Sequence, residues 1–217
     1  MFSYLILGLG GLLFGAVVYR YDMHEREPWW MLVLAVLAGT LEELGKLAVP
    51  AAVLLFMKKH FNDPMDGLIY GSLAGLGAAV FEGAWWQWFA PADGTSVISV
   101  HGPNAMRLLM HTLWGGIVGS ALGLIVMKKP WRQTLAKRVG LVMLIHFGWD
   151  LLIGFVPADQ QNNWHRLVAA LLIGASVIWY GLLVVQANKW SRSMHNPTGK
   201  QRLVGKIVRM IITRRFR

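Results

Sequence analysis

Several ionisable side chains sit inside apolar stretches of this chain: Glu42, Glu43, Lys46, Glu82, His111, His146 and Asp150. A charged group at the centre of a bilayer costs about 3 kcal/mol on insertion scales, so each of them demands a reason. Glutamate and histidine together are suited to activating water. One carboxylate stays ionised and accepts a proton, while another group in the same low-dielectric site holds or donates one. Glu42 and Lys46 are four residues apart, as are His146 and Asp150, so each pair lies on one helix face. Glu42 and Glu43 are adjacent and point about 100° apart on a helix, so they do not both aim straight at one water. Cysteine is absent, which excludes disulfides, thiolate nucleophiles and Cys-based metal sites, and no serine stands in a recognisable nucleophile motif.

Each residue also has a plainer reading. Glu42–Lys46 can be a neutralised pair that only lowers insertion cost, His146–Asp150 a structural hydrogen bond, and His111 a helix–helix contact. Glu82 is harder to dismiss, because its own segment holds no nearby cation. The case for chemistry rests on convergence.

The elements that must position these groups are membrane helices. The chain has 217 residues, of which only 15% are charged, against about 25% for a soluble domain. Its mean hydropathy is +0.46, and the apolar residues come in long runs. The expected fold is therefore all-α, a polytopic transmembrane helix bundle of six or seven spans. The candidate spans are Phe2–Tyr19, Trp29–Met57, Gly67–Ala90, Ala105–Met127, Leu135–Val156 and Trp164–Ala187. The second is long enough to tilt, or to break near Gly39-Thr40 into two segments. Phe2–Tyr19 lacks a basic leader and a good cleavage site, so it reads as a retained span. Residues 1–190 are expected to form the catalytic membrane domain and residues 191–217 a basic tail, in which Arg202–Arg217 reads as a surface-lying amphipathic helix, with a disordered basic tail as the plainer alternative.

Net charge is +10. The basic residues flank apolar runs, so the partner they imply is the anionic leaflet of a bilayer and not nucleic acid. Lys58, Lys59, Lys128, Lys129, Arg132, Lys137, Arg138, Lys189, Arg192 and the tail mark the cytoplasmic side, which makes the C-terminus cytoplasmic. On that orientation Glu42 lies roughly 20 Å along its helix from Trp29, near mid-membrane, and Glu82, His111 and His146 lie about 10–15 Å from the outer ends of their spans. Four segments thus bring ionisable groups to one depth, which predicts a shared polar site. Gly67, Gly71 and Gly75, and Gly115, Gly119 and Gly123, repeat every four residues in consecutive spans; such ladders predict close packing of those two helices.

At these residues the chain resembles the PrsW-type intramembrane proteases, distant relatives of the type II CAAX prenyl proteases. Glu42-Glu43-Leu44-Gly45-Lys46 fits the family's E-E-x-x-K. Asp66-Gly67-Leu68-Ile69-Tyr70-Gly71 followed by Phe81-Glu82 resembles its second motif. His111-Thr112-Leu113-Trp114 and His146-Phe147-Gly148-Trp149-Asp150 match its histidine motifs. The hinge Tyr21-Asp22 through Trp30 is similar too, and Gly83 stands where the family commonly has Asn. The resemblance implies proteolysis of membrane-embedded or juxtamembrane substrates in a bacterial or archaeal cell membrane, with an anti-sigma-factor-like single-span protein as the type of substrate.

The expected mechanism is glutamate-type hydrolysis. Glu42 is the general base and Glu43 assists it. His111 and His146 position water, steady the oxyanion or protonate the leaving amine. Glu82 is a further polar contact, Asp150 orients His146, and Lys46 balances the glutamate charge. No metal or other cofactor is assigned, and a Zn²⁺ site built from Glu and His ranks second. A proton-coupled transporter and a catalytically silent membrane-protein binder are the rivals from other classes.

Overall fold

A computed structural model describes residues 28–89, 103–154 and 162–195. Among these residues the chain is helical, with no strand: α1 (Pro28–Phe56), a 3-10 turn (Lys58–His60), α2 (Pro64–Phe89), α3 (Pro103–Gly119), α4 (Gly123–Val126), α5 (Arg132–Trp149), a π-helical turn (Asp150–Gly154) and α6 (Asn163–His195). The first apolar run, the hinge after it and the tail from residue 196 lie outside the described residues. Three stretches are long and apolar enough to cross a membrane: Pro64–Ala84, Ala105–Val126 and Asn163–His195. Those match the third, fourth and sixth expected spans. The second and fifth appear as the helices α1 and α5, which carry more charge.

α1 runs unbroken, so the expected alternative of a break near Gly39-Thr40 does not occur. Gly39 is a packing position: a Cβ there would stand 3.5 Å from the Met143 carbonyl oxygen and from the Phe147 nitrogen of α5. The irregularity in α1 comes later, at Pro50, whose missing N–H leaves the Lys46 carbonyl without its helical partner.

The start of α2 is built by its sequence. Asp63 Oδ1 accepts from the Met65 N–H at 2.7 Å, and Asp66 Oδ2 accepts from the Asp63 N–H at 2.8 Å. That reciprocal capping, with Pro64 in the first helical position, fixes where the helix begins. The Asp66-Gly67-x-x-Tyr70-Gly71 motif is thus architectural: Asp66 caps, Tyr70 donates its hydroxyl to the His60 carbonyl at 2.9 Å, and the glycines pack.

α3 is the central helix, in contact with α1, α2, α5 and α6. Met110, Trp114, Ile117 and Val118 are buried along it. Its most extensive contact is with α2, along the glycine ladders. A Cβ on Gly67 would run into the Gly119 carbonyl, one on Gly71 into the Gly115 carbonyl, and one on Gly75 into the His111 carbonyl. The backbones touch, as the ladders predict. Beyond Gly119 the helix tightens through Ser120. The Ser120 hydroxyl donates to the Ile117 carbonyl at 2.5 Å and accepts from Arg138 Nη1 at 2.5 Å.

α6 lies at the periphery and presents Leu171, Ile178, Leu182 and Val185 outward, a face suited to lipid. The boundary expected at residue 190 falls inside this helix. It persists to His195 because Ser191 Oγ donates to Asp63 Oδ2 at 2.6 Å and His195 Nε2 lies 3.0 Å from the same oxygen.

Gly71→Val is expected to destabilise the protein by about 1–3 kcal/mol through overpacking against α3. Gly174→Ala, where a Cβ meets nothing within 4 Å, is expected to be neutral or slightly stabilising. Thermal unfolding of both variants in detergent checks the contrast.

Candidate active site

The site is assembled from four helices. α1 supplies Glu42, Glu43 and Lys46, α2 supplies Glu82, α3 supplies His111, and α5 supplies His146, with Asp150 on the π-helical turn that follows. His111, His146, Glu43 and Lys46 are buried, while Glu42 retains 24% side-chain exposure.

Glu42 Oε2 is the common point. It lies 3.6 Å from His111 Nδ1 and 3.9 Å from His146 Nε2. Each imidazole turns its other nitrogen to a second carboxylate. His146 Nδ1 is 2.9 Å from Glu43 Oε1, and His111 Nε2 is 3.4 Å from Glu82 Oε2. The two rings stand edge to face with centroids 5.3 Å apart.

Behind each carboxylate sits a cation. Lys46 Nζ donates to Glu43 Oε1 at 2.5 Å and is 3.9 Å from Glu42 Oε2. Arg107 Nε is 3.2 Å from Glu82 Oε1. Lys46 therefore serves Glu43 first, where the four-residue spacing suggested Glu42. Adjacent positions on one helix separate the two glutamates: Glu42 faces the histidines from the open side, and Glu43 points into the packed interior. Asp150 also departs from its expected place. The hydrogen bond that orients His146 goes to Glu43, and Asp150 Oδ2 stands 3.7 Å from Nε2, the nitrogen that faces Glu42.

Two participants carried no role in the sequence reading. Trp114 packs its ring on His146 at 4.9 Å between centroids, and its Nε1 donates to Ser176 Oγ of α6 at 3.1 Å. Arg107 is the cation that Glu82 lacks in its own segment. Its position one turn before His111 on α3 was the available signal, since residues four apart share a helix face.

The donor set bears on metal binding. One ligand atom each from Glu42, His111 and His146 can be chosen so that all lie within 4.8 Å of one another. Two histidines and a glutamate are a known catalytic zinc set, and ligands at about 2.0–2.2 Å from a tetrahedral ion lie roughly 3.3–3.6 Å apart. Of the observed separations, 3.6 Å meets that range and 3.9 Å is slightly wider. Glu42 Oε2 and His111 Nδ1 are buried without a hydrogen-bond partner. Facing polar atoms of this kind, both turned to one point, suit an ion or an ordered water between them. The residues present fit a divalent cation.

Apolar helices enclosing a buried glutamate–histidine cluster define a membrane protein with a hydrolase-type site. The profile of the PrsW family of intramembrane metalloproteases matches residues 1–179, and the chain belongs to that family. It is therefore an intramembrane protease, and its substrates are membrane proteins. No curated protein and no solved structure matches the chain.

Removing one member of a buried ion pair costs about 3–5 kcal/mol, whereas replacing both with apolar groups can be neutral. Lys46→Met is accordingly expected to lower the unfolding temperature sharply, and Lys46→Met with Glu43→Leu to recover much of the loss. Thermal melts of the single and double variants in one detergent test this.

Proposed function

We propose that the chain hydrolyses peptide bonds of single-span membrane proteins at a divalent-metal centre held by Glu42, His111 and His146. The observation that carries this reading is the convergence of Glu42 Oε2, His111 Nδ1 and His146 Nε2, with Glu42 Oε2 and His111 Nδ1 buried and unpartnered. Charge balance supports it. Among the described residues Glu42, Glu43, Glu82 and Asp150 are accompanied by the permanent charges of Lys46 and Arg107, a surplus of carboxylates that favours a further divalent cation. When bound, such an ion supplies Lewis-acid polarisation of a carbonyl and makes water more acidic.

The chain's own residues do the rest. Glu43 accepts from His146 Nδ1 and so keeps the Nε2 lone pair toward the centre, the carboxylate–histidine arrangement that holds metal ligands in register. Trp114 walls one face of His146 and excludes water there. Asp150 borders the centre and is bridged to no Lys or Arg among the described residues. It takes the proton of the attacking water and returns it to the leaving amine. With the basic loops cytoplasmic and six spans in all, the cut falls in the outer half of the membrane, which suits a substrate of the anti-sigma-factor type.

A second reading has a specific observation behind it. The Lys46 ammonium stands 3.9 Å from Glu42 Oε2, an unfavourable neighbour for a metal ion and a favourable one for an ionised general base. Glu42 then activates water directly, and the histidines stabilise the oxyanion.

Elemental analysis separates the two. About one divalent ion per chain is expected in purified wild-type protein, with loss of that ion in His111→Ala and His146→Ala and loss of cleavage on chelation. Active protein that holds no metal and resists chelators would replace this reading with the metal-free one. In either case Glu42→Gln is expected to abolish the membrane-protein fragments that mass spectrometry finds in vesicles bearing the wild-type chain. Full cleavage by both Glu42→Gln and His146→Ala would refute the site.

A further inference from the structure

Arg107 belongs to neither the glutamate motif nor the histidine motifs, yet it occupies a defined place. It lies one turn before His111 on α3, and both side chains reach across to Glu82 of α2. Arg107 Nε is 3.2 Å from Glu82 Oε1, and His111 Nε2 is 3.4 Å from Glu82 Oε2. The carboxylate thus spans the two, one oxygen to each.

The same order of groups occurs on the other side of the site. Lys46 binds Glu43 at 2.5 Å, and Glu43 binds His146 Nδ1 at 2.9 Å. The two arms come from different helices and share no residue. Both present an imidazole nitrogen to Glu42 Oε2, at 3.6 and 3.9 Å. In each arm a cation anchors a carboxylate, and a carboxylate placed beside an imidazole favours hydrogen on the ring nitrogen that faces it.

We propose that Arg107 is a positioning residue for proteolysis. Through Glu82 it keeps hydrogen on His111 Nε2 and turns the bare Nδ1 toward Glu42, as Lys46 does for His146 through Glu43. Guanidinium suits the task because it stays charged and can hold one carboxylate oxygen while leaving the other to His111. The packing of α2 on α3 fixes the span that this arm bridges. Gly75, two helical turns before Glu82, abuts the His111 carbonyl, so Glu82 cannot withdraw from α3 without separating the ladders.

The inference rests on His111 belonging to the catalytic centre, and the experiment keeps the two ideas apart. Full-length Arg107→Gln, Arg107→Lys, Glu82→Gln, the Arg107→Gln/Glu82→Gln double variant and Glu42→Gln are purified in detergent. Each is assayed on a single-span substrate identified by its wild-type-dependent fragments. Arg107→Gln is expected to lower kcat about 10–100-fold, the usual effect of removing a partner behind a ligand, with little change in KM or unfolding temperature. The double variant should be no worse than Glu82→Gln, because both changes break one arm. Arg107→Lys should restore part of the rate.

Nitrogen NMR of ¹⁵N-histidine-labelled protein, with His111 assigned by its loss in His111→Ala, reads the ring directly. After chelator treatment, wild type should carry hydrogen on Nε2 alone, and Arg107→Gln should show a mixture of the two tautomers. If Arg107→Gln keeps the wild-type kcat and tautomer while Glu42→Gln is inactive, Arg107 only offsets the insertion cost of Glu82 and the proposal is wrong. If Glu42→Gln is itself fully active, the site reading fails, and the tautomer comparison alone decides the role of Arg107.

Discussion

Placing carboxylates among apolar helices is the constraint on which this structure depends. Glu43 and Lys46 are both essentially inaccessible, and a lone ion of either sign there would be expelled or neutralised. They are tolerated because they meet at 2.5 Å on one helix. That pairing has a chemical consequence. Glu43, with its charge retained by Lys46, accepts from His146 and orients it. Glu42, one residue earlier, has only a distant share of the same ammonium, at 3.9 Å, and faces the histidines. Two neighbouring glutamates acquire different surroundings from a step of about 100° around the helix.

The second determinant is the contact between α2 and α3. Ridge-and-groove packing of ordinary side chains sets helix axes about 8–10 Å apart, and glycine ladders allow a closer approach. Here a Cβ at Gly67, Gly71 or Gly75 would collide with backbone of the facing helix. The approach brings Glu82 within reach of both His111 and Arg107. It also leaves the α3 backbone inflexible where His111 projects, since the His111 carbonyl itself lies against Gly75. α6 adds a smaller constraint from the far side, through the Ser176–Trp114 hydrogen bond and the Trp114 ring against His146.

Much of this was legible in the residues. Long apolar runs announced membrane helices, the ladders announced the α2–α3 contact, and costly Glu and His residues at one depth announced a common site. What could not be read was the pairing within the site. Four-residue spacing assigned Lys46 to Glu42 and Asp150 to His146, but spacing along a helix says only which residues share a face. Glu43 captured both Lys46 and His146 because it points into the packed interior, where α5 crosses α1 at Gly39. Arg107 escaped notice for a similar reason. Its partner lies on another helix, and the one local signal, its place one turn before His111, shows a shared face without naming the carboxylate. The Asp66-Gly67 motif, which entered only through the family resemblance, builds the start of α2 and its packing face.

The distribution of unsatisfied atoms ties architecture to function. Within the cluster, Glu42 Oε2 and His111 Nδ1 are buried without a hydrogen-bond partner and face each other at 3.6 Å, and Glu43 Oε2 is likewise buried without one. Buried polar atoms that face each other beyond hydrogen-bonding distance suit an ion or an ordered water between them. Lys46 and Glu43 hold His146 from one side, and Arg107 and Glu82 flank His111 from the other, so the two rings come to face Glu42 from different helices.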